Sequence, residues 1–199
     1  MFPDSLTSAA AVLSNAFECC SDNSDGRINS IKDEETIIQV LESKYGDAVE
    51  RPKARGWWDV KLFGYPIQIK SSDFSKGASD NFSSKAAILY ALTYLPEEKV
   101  NVRKWSDFEK ALLDYTDVEN DRDYYILIFD KNSKKVFLNS LKSLNKITPN
   151  GSNLPFQIKW ADNRVPISRT FREARDLIVG GYKKSVLAKI TAHPFAEAL

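Results

Sequence analysis

The sequence has few of the residues that build disulfides, zinc sites or nucleophilic triads. Two cysteines occur among 199 residues, and they are the neighbours Cys19 and Cys20. Adjacent cysteines form no ordinary disulfide and lack metal-ligand spacing, so we expect a reducing, cytoplasmic compartment. The single histidine, His193, leaves no basis for predicting a Ser/His/Asp or Cys/His catalytic set.

The sequence also lacks an excess of one charge and a long apolar run. The formal net charge is +1, so bulk charge does not predict a nonspecific nucleic-acid binder, although a local basic patch remains compatible with it. The first 17 residues lack a basic segment, and Ser and Asn interrupt their apolar stretch. We therefore expect neither a signal peptide nor a membrane span.

What the sequence does contain is a globular composition, with 43% hydrophobic residues, and the periodic patterns of both helices and strands. Together they predict one domain over 1–199. We expect helices at 5–19, 31–46, 83–95 and 105–115, strands at 57–63, 65–71, 123–129, 134–138 and 156–160, a polar loop at 71–82, and a C-terminal helix, 168–190, broken at Gly180-Gly181. This order predicts an α/β (α+β) fold with one mixed sheet and helices on both faces.

Polar side chains converge in one predicted hairpin, WWDVKLFGYPIQIK, residues 57–70. Asp59 lies on its first strand. On the second strand, Gln68 and Lys70 share one face because side chains alternate along a strand. The turn between the strands is expected near Gly64-Tyr65-Pro66.

These residue types suit phosphodiester hydrolysis, which needs a divalent cation and a positioned water. Asp59 can bind Mg²⁺, while Gln68 and the backbone carbonyl of Ile69 can complete its shell. Lys70, on the same face as Gln68, can orient the attacking water. The alternative is a cross-strand ion pair between Asp59 and Lys70 on a solvated face.

A further carboxylate lies on the helix that precedes the hairpin. Glu34 falls on the apolar face of that helix, between Ile31 and Ile38. A carboxylate directed inward needs a partner, which makes Glu34 a candidate site residue.

The spacing Asp59-x8-Gln68-x-Lys70 resembles the PD-(D/E)XK nuclease motif, with glutamine in the middle acidic position. The segment IIQVLESKYGDAVERPK is similar to the one that precedes the active site in type II restriction endonucleases of the EcoRV-like branch. The segment ASDNFSSKAAILYALT is similar to the loop and helix after the catalytic lysine in several type II restriction enzymes. The resemblance covers about residues 30–130. It implies a restriction-endonuclease-like core, namely a mixed five-stranded sheet flanked by helices, in a homodimeric, Mg²⁺-dependent DNA endonuclease.

The resemblance also implies roles for individual residues. Asp59 would be the bridging metal ligand, Gln68 the second ligand and Lys70 the water-positioning residue. Glu34 would be the auxiliary acid, with Glu35 as the alternative. Gln68 departs from the family pattern because its amide brings no negative charge, which is compatible with an active site and with a decayed one.

DNA contacts are expected mainly from the residues that follow the hairpin. The part of the chain after the core is expected either to contact DNA or to form the dimer. Arg164, Arg169 and Arg172 either decorate a solvated helix or contact phosphate. The residues singled out for DNA binding are Ser71, Ser72, Ser79, Asp80, Asn81 and Lys85.

The leading functional hypothesis is a type II restriction endonuclease that cuts duplex DNA at a short, palindromic site. Its partners would be double-stranded DNA, a second copy of the chain and a DNA methyltransferase of the same system, with no membrane. The alternatives are a DNA repair or junction-resolving nuclease of the same fold and a DNA-binding module with a decayed site.

Overall fold

The computed structural model describes residues 2–16, 26–53, 56–74 and 79–191, with the backbone alone described for 26–32. Cys19, Cys20 and His193 lie outside these residues. The chain folds into two compact units, the first comprising Met1–Ala78 and Tyr124–Ser140, the second Ser79–Asp123 and Leu141–Leu199. The expectation of a single domain over 1–199 stays a prediction.

Five α-helices and eight strands in the described chain make up a mixed α/β fold. The helices are α1 (Asp4–Ala16), α2 (Gly26–Tyr45), α3 (Lys85–Leu92), α4 (Trp105–Tyr115) and α5 (Phe171–Thr191). The strands are β1 (Val49–Glu50), β2 (Val60–Leu62), β3 (Tyr65–Ser72), β4 (Ser79–Phe82), β5 (Tyr125–Asp130), β6 (Lys135–Ser140), β7 (Thr148–Pro149) and β8 (Phe156–Lys159). In the described ranges, no helix has the length and apolar character needed to cross a bilayer.

The first unit contains a five-stranded mixed sheet with the strand order β1-β2-β3-β5-β6. Strands β3 and β5 are parallel, and the other neighbouring pairs are antiparallel. The prediction of an α+β fold with a five-stranded mixed sheet is therefore confirmed. The sheet leaves β3 in a central position, between the hairpin partner β2 and the buried strand β5.

The hairpin turn is tighter than the sequence predicted. Tyr65 and Pro66 already belong to β3, and the turn consists of Phe63 and Gly64, both with positive φ angles of 53° and 80°. Two-residue turns with positive φ match the twist of antiparallel strands, so the pairing register continues directly through the turn.

The core of the first unit forms where helices α1 and α2 pack on alternate residues of the central strands. Leu13 of α1 and Ile37 of α2 are fully buried in the same cluster as Ile67 and Ile69 of β3 and Leu127 of β5. Since side chains alternate, the burial of Ile67 and Ile69 directs Gln68 and Lys70 away from this core, as predicted.

The second unit contains a second sheet, which the sequence did not predict. It has three antiparallel strands in the order β4-β8-β7. The prediction that residues 71–82 form a polar loop is wrong at its end, where Ser79–Phe82 is strand β4. Its pairing with β8 comes with a stack of Phe82 on Phe156, whose ring centroids are 5.5 Å apart. This partner lies more than 70 residues away in the chain, so the local polar pattern gave no sign of it.

The predicted helix break at Gly180-Gly181 is also wrong, since α5 runs continuously through both glycines. A Cβ at Gly181 would collide with the side chain of Ile147. The second glycine therefore permits close packing of the helix instead of ending it.

Candidate active site

Asp59 lies immediately before β2, where the hairpin ladder becomes irregular. Its N–H donates to the Ile67 carbonyl at 2.9 Å, while Val60 is the register partner of Ile67. Two residues of the first strand thus oppose one of the second, as in a β-bulge, which can re-aim a side chain. The Asp59 carboxylate accepts a hydrogen bond from the Ile69 N–H at 2.7 Å, so it is held against β3.

Two oxygens of β3 are candidates to bind a cation together with this carboxylate. The N–H and C=O of one strand residue point to the same edge, so the Ile69 carbonyl lies on the edge where its N–H meets Asp59. The neighbouring Gln68 Oε1 is buried and has no hydrogen-bond partner among the described residues. A buried acceptor without a partner is costly, and in a native structure it calls for an explanation such as an ion or water.

Glu34 and Lys70 are the charged side chains that interact electrostatically with Asp59. Burial, followed by the negative charge of Asp59, raises the pKa of Glu34 to about 7, while Lys70 acts in the opposite direction. Helix α2 thus brings a carboxyl, and β3 brings a cation, into electrostatic range of Asp59. The predicted residues Glu34, Asp59 and Lys70 thus come from separate elements and influence one another electrostatically.

The site also contains Tyr124, which is fully buried, close to the partly buried Asp59 in electrostatic terms. Burial raises the pKa of Asp59, and the Ile69 N–H and Lys70 oppose that rise. The pKa of Tyr124 is raised by burial and then by the charges of Asp59 and Glu34, so its hydroxyl stays protonated. This hydroxyl donates to the Trp57 carbonyl at 2.8 Å and holds the segment just before Asp59.

The structure distinguishes Glu34 from its neighbour Glu35. Arg51 binds Glu35 with two hydrogen bonds of 2.8 and 2.9 Å, and this guanidinium lowers the pKa of the Glu35 carboxyl. Glu34 instead interacts with Asp59 and Lys70. Among the two acids considered from sequence, Glu34 is the one placed at the site.

Sequence reasoning missed a buried acid one position earlier. Asp33 is fully buried, accepts a 2.5 Å hydrogen bond from Ser71 Oγ and forms a 2.9 Å ion pair with Lys131. These contacts tie α2 to the residue after Lys70. A signal was available, because Asp33, Ile37 and Leu41 have the i, i+4, i+8 spacing of one helix face and all three are buried.

The residues predicted to contact DNA have varied surroundings. Ser71 donates to Asp33, and Ser72 is buried. Asp80 accepts a hydrogen bond from Trp160 Nε1, and Lys85 donates to the Arg103 carbonyl. Ser79 and Asn81 are exposed on β4. Contact of these six residues with DNA stays a prediction.

The donor set fits Mg²⁺ better than a softer metal. Within the described ranges, no three His, Cys, Asp or Glu side chains form a metal-binding group. Zinc sites of that kind are thus lacking there. Mg²⁺ takes oxygen ligands and is commonly bound by one or two carboxylates together with waters and substrate phosphates. Asp59, the Ile69 carbonyl and the unpaired Gln68 oxygen meet this description.

The raised pKa of Glu34 predicts a pH dependence of stability in metal-free protein. The folded state holds a proton on Glu34 between pH 4.5 and 7 that the unfolded chain releases, so this carboxyl makes folding less favourable as the pH rises through that window. Glu34→Gln should therefore stabilise the protein at pH 8 but not at pH 4. We expect about 1 kcal/mol, since each pKa unit is worth about 1.4 kcal/mol and the half-exposed carboxyl is screened.

Urea unfolding in EDTA at both pH values measures this effect. Glu35→Gln is the matched control, and it should destabilise the protein at pH 8 because it removes an acceptor of Arg51. Equal unfolding midpoints for wild type and Glu34→Gln at pH 8 would contradict the raised pKa.

No protein-family model matches the sequence, and no curated protein matches it significantly. The likeness to PD-(D/E)XK nucleases therefore rests on the motif residues and on the geometry that surrounds them.

Proposed function

We propose that this protein is a Mg²⁺-dependent endonuclease that hydrolyses phosphodiester bonds of duplex DNA at a short, palindromic site, as a type II restriction enzyme does. One observation carries the proposal. Glu34, Asp59 and Lys70 come from α2, the β2 entry and β3 and interact electrostatically, and Gln68, two residues before Lys70, has a buried oxygen without a partner among the described residues.

Asp59, Gln68 and the Ile69 carbonyl would hold the cation. The chemistry supplied by bound Mg²⁺ is neutralisation of the charge that develops on the scissile phosphate. The Ile69 N–H fixes the Asp59 carboxylate before any ligand arrives, so little reorganisation accompanies binding.

Lys70 and Glu34 would act on the attacking water. The Lys70 ammonium can donate a hydrogen bond that orients this water and can attract the phosphate. A carboxyl with a pKa of about 7 accepts a proton efficiently near neutral pH, which suits Glu34 for the role of auxiliary acid–base group. The water oxygen would bond to phosphorus as the P–O3′ bond breaks, one water proton would pass to a base, and the 3′-oxygen would take up a proton, so the products would carry a 5′-phosphate and a 3′-hydroxyl.

Incubation with unmethylated phage DNA and Mg²⁺ tests the proposal. We expect discrete fragments from wild type and none from Asp59→Asn, a variant that keeps an oxygen acceptor for the Ile69 N–H but removes the charge. Nicking confined to branched DNA would favour the repair or junction-resolving alternative. Binding without cleavage would favour a decayed DNA-binding module.

A restriction enzyme is also expected to have a partner enzyme in the same cell. A DNA methyltransferase of the same specificity would protect the host DNA, and both proteins would act in the cytoplasm. Cleavage that stops when the DNA is methylated by that enzyme would support this pairing.

The proposed homodimer has a candidate contact surface in the second unit. A groove of about 470 Å³ between α4 and α5 is lined mostly by apolar side chains, including Leu113 and Leu187, which are 75% and 60% exposed. Residues 107–121 carry six carboxylates and one lysine, whereas α5 carries five cations and two carboxylates. A two-fold axis would therefore set the acidic side of one copy against the basic side of the other.

We expect the chain to sediment as a dimer, at twice its 22.5 kDa. Leu113→Glu combined with Leu187→Glu should yield monomers, since charges would replace the apolar contact. Val165→Glu, at an exposed apolar residue outside the groove, is the control and should leave the dimer intact. A wild-type chain that is monomeric at concentrations of about 10 μM would contradict the homodimer.

A further inference from the structure

The three-stranded sheet of the second unit has two dissimilar faces. Phe82, Phe156 and Ile158 are buried on one of them. The opposite face, here called the polar face, carries residues that are register partners across the strands. Asn81 and Thr148 each pair with Gln157, and Ser79 pairs with Lys159. The polar face thus consists of Ser79, Asn81, Thr148, Gln157 and Lys159.

An amide network organises the centre of the polar face. The Asn81 Oδ1 atom accepts hydrogen bonds of 2.9 Å from both Gln157 Nε2 and Asn150 Nδ2. These bonds occupy both lone pairs of the Asn81 oxygen and fix the orientation of the amides. They leave the Asn81 amino group as a donor and the Gln157 Oε1 atom as an acceptor.

The polar face lacks carboxylates. Asp80, between Ser79 and Asn81 in the sequence, accepts a hydrogen bond from Trp160 Nε1, and strand alternation directs it away from its two neighbours. Lys159 is the cation of this surface. The surface is therefore weakly positive, which suits a polyanion, and it is rich in fixed hydrogen-bonding groups.

Duplex DNA combines both features in its major groove, which admits β-ribbons. Adenine presents an acceptor and a donor side by side there, and Asn and Gln amides match this pair. Guanine presents two acceptors, which a lysine can contact, and Ser or Thr hydroxyls can donate or accept.

We propose that the polar face reads base edges in the DNA major groove. Asn81 and Gln157 would recognise adenine, and Lys159 would contact guanine or a neighbouring phosphate. This role rests on the proposed nuclease function and supplies its sequence specificity. Of the residues predicted from sequence to bind DNA, Ser79 and Asn81 belong to this surface, and Gln157 and Thr148 are added to it.

Cleavage of a randomised duplex library with Mg²⁺, followed by sequencing of the cut sites, tests the proposal. We expect Gln157→Ala and Asn81→Ala to lower cleavage of the wild-type site by about 10- to 100-fold and to relax the preference at an A·T position, since one base contact is worth about 1–3 kcal/mol. Gln157→Glu keeps the size and one oxygen but loses the amide donor, and it should relax the same position. The control is Asn153→Ala, which removes an exposed amide from the adjoining loop.

The outcomes separate this inference from the nuclease proposal. Wild-type cleavage at a defined sequence, with the same preference and rate in the Gln157 and Asn81 variants, would overturn the base-reading role while the nuclease stands. Sequence-selective binding without cleavage, lost in these variants, would support base reading and overturn the nuclease. Absence of wild-type binding to any duplex would overturn both.

Discussion

Lys70→Ala should lower the cleavage rate by about 10³-fold or more while DNA binding changes only a few-fold. Orientation of the attacking water and proton-transfer effects of about 10²–10⁴ each make a loss of this size reasonable. Lys70 is the cation that opposes the raised pKa values of both Glu34 and Asp59. Its removal takes away the group that organises the water and, in addition, the charge that favours the ionised form of both carboxyls.

The pH profile adds an independent readout for Lys70. Because the ammonium lowers the pKa values of Glu34 and Asp59, its loss should raise both values further. If the ionised carboxylates are required, the acid limb of the residual activity should then move to higher pH. The control is Lys61→Ala, which removes a lysine of the same hairpin that lies over Trp58 at 5.0 Å. Normal cleavage by Lys70→Ala would contradict the assignment of Lys70 as the water-positioning residue.

Gln68→Ala should cleave about 100-fold more slowly at every metal concentration, without a matching loss of stability. The buried Oε1 atom has no hydrogen-bond partner among the described residues, so its removal breaks no bond in the metal-free protein. The substitution does remove an oxygen from the proposed cation site. A loss of activity without a loss of stability is what a ligand predicts and what a structural glutamine does not.

Gln68→Glu should change stability and metal binding, whereas Gln68→Ala should lower cleavage without a matching loss of stability. A carboxylate there adds negative charge near Asp59 and Glu34, which is unfavourable until a divalent cation lies between the acids. We expect lower stability in EDTA, tighter binding of Mg²⁺ or Mn²⁺, and cleavage that saturates at lower metal concentration.

Cleavage rate against metal concentration, together with urea unfolding in EDTA, measures both Gln68 variants. Gln39→Ala, at an exposed glutamine of α2 that binds Glu35, is the control and should titrate like wild type. A Gln68→Ala titration that coincides with wild type would show that Gln68 is not a ligand. The chemistry would then depend on Asp59, Lys70 and Glu34.

Local periodicity alone determined the central part of the site. Alternation along β3 placed Gln68 and Lys70 on one face and buried Ile67 and Ile69, and a continuous apolar run identified β5 as a buried strand. These are properties of neighbours in the chain, and the geometry of a strand makes them predictable from sequence.

The tertiary structure decided which acids join the hairpin. Glu34 and Glu35 are adjacent, and only Arg51, folded back onto α2, shows that Glu35 is already bound. Asp33 is fully buried because Lys131, almost 100 residues later, forms an ion pair with it. Such choices depend on contacts between residues distant in the chain.

The two sheets also differ in how far the local sequence predicts them. The β2–β3 hairpin closes through a two-residue turn, so its existence and approximate register follow from the local sequence, although the short turn itself was misjudged. Strand β4 has a polar, loop-like sequence and becomes a strand because β8 pairs with it. Likewise, Gly180-Gly181 lowers the local helix propensity, but α5 runs through both glycines, and Gly181 allows the side chain of Ile147 to approach the helix closely. Local pattern thus determined the elements whose partners are close in sequence, and long-range packing decided the rest, because burial against a distant partner outweighs a local propensity of about 1 kcal/mol per residue.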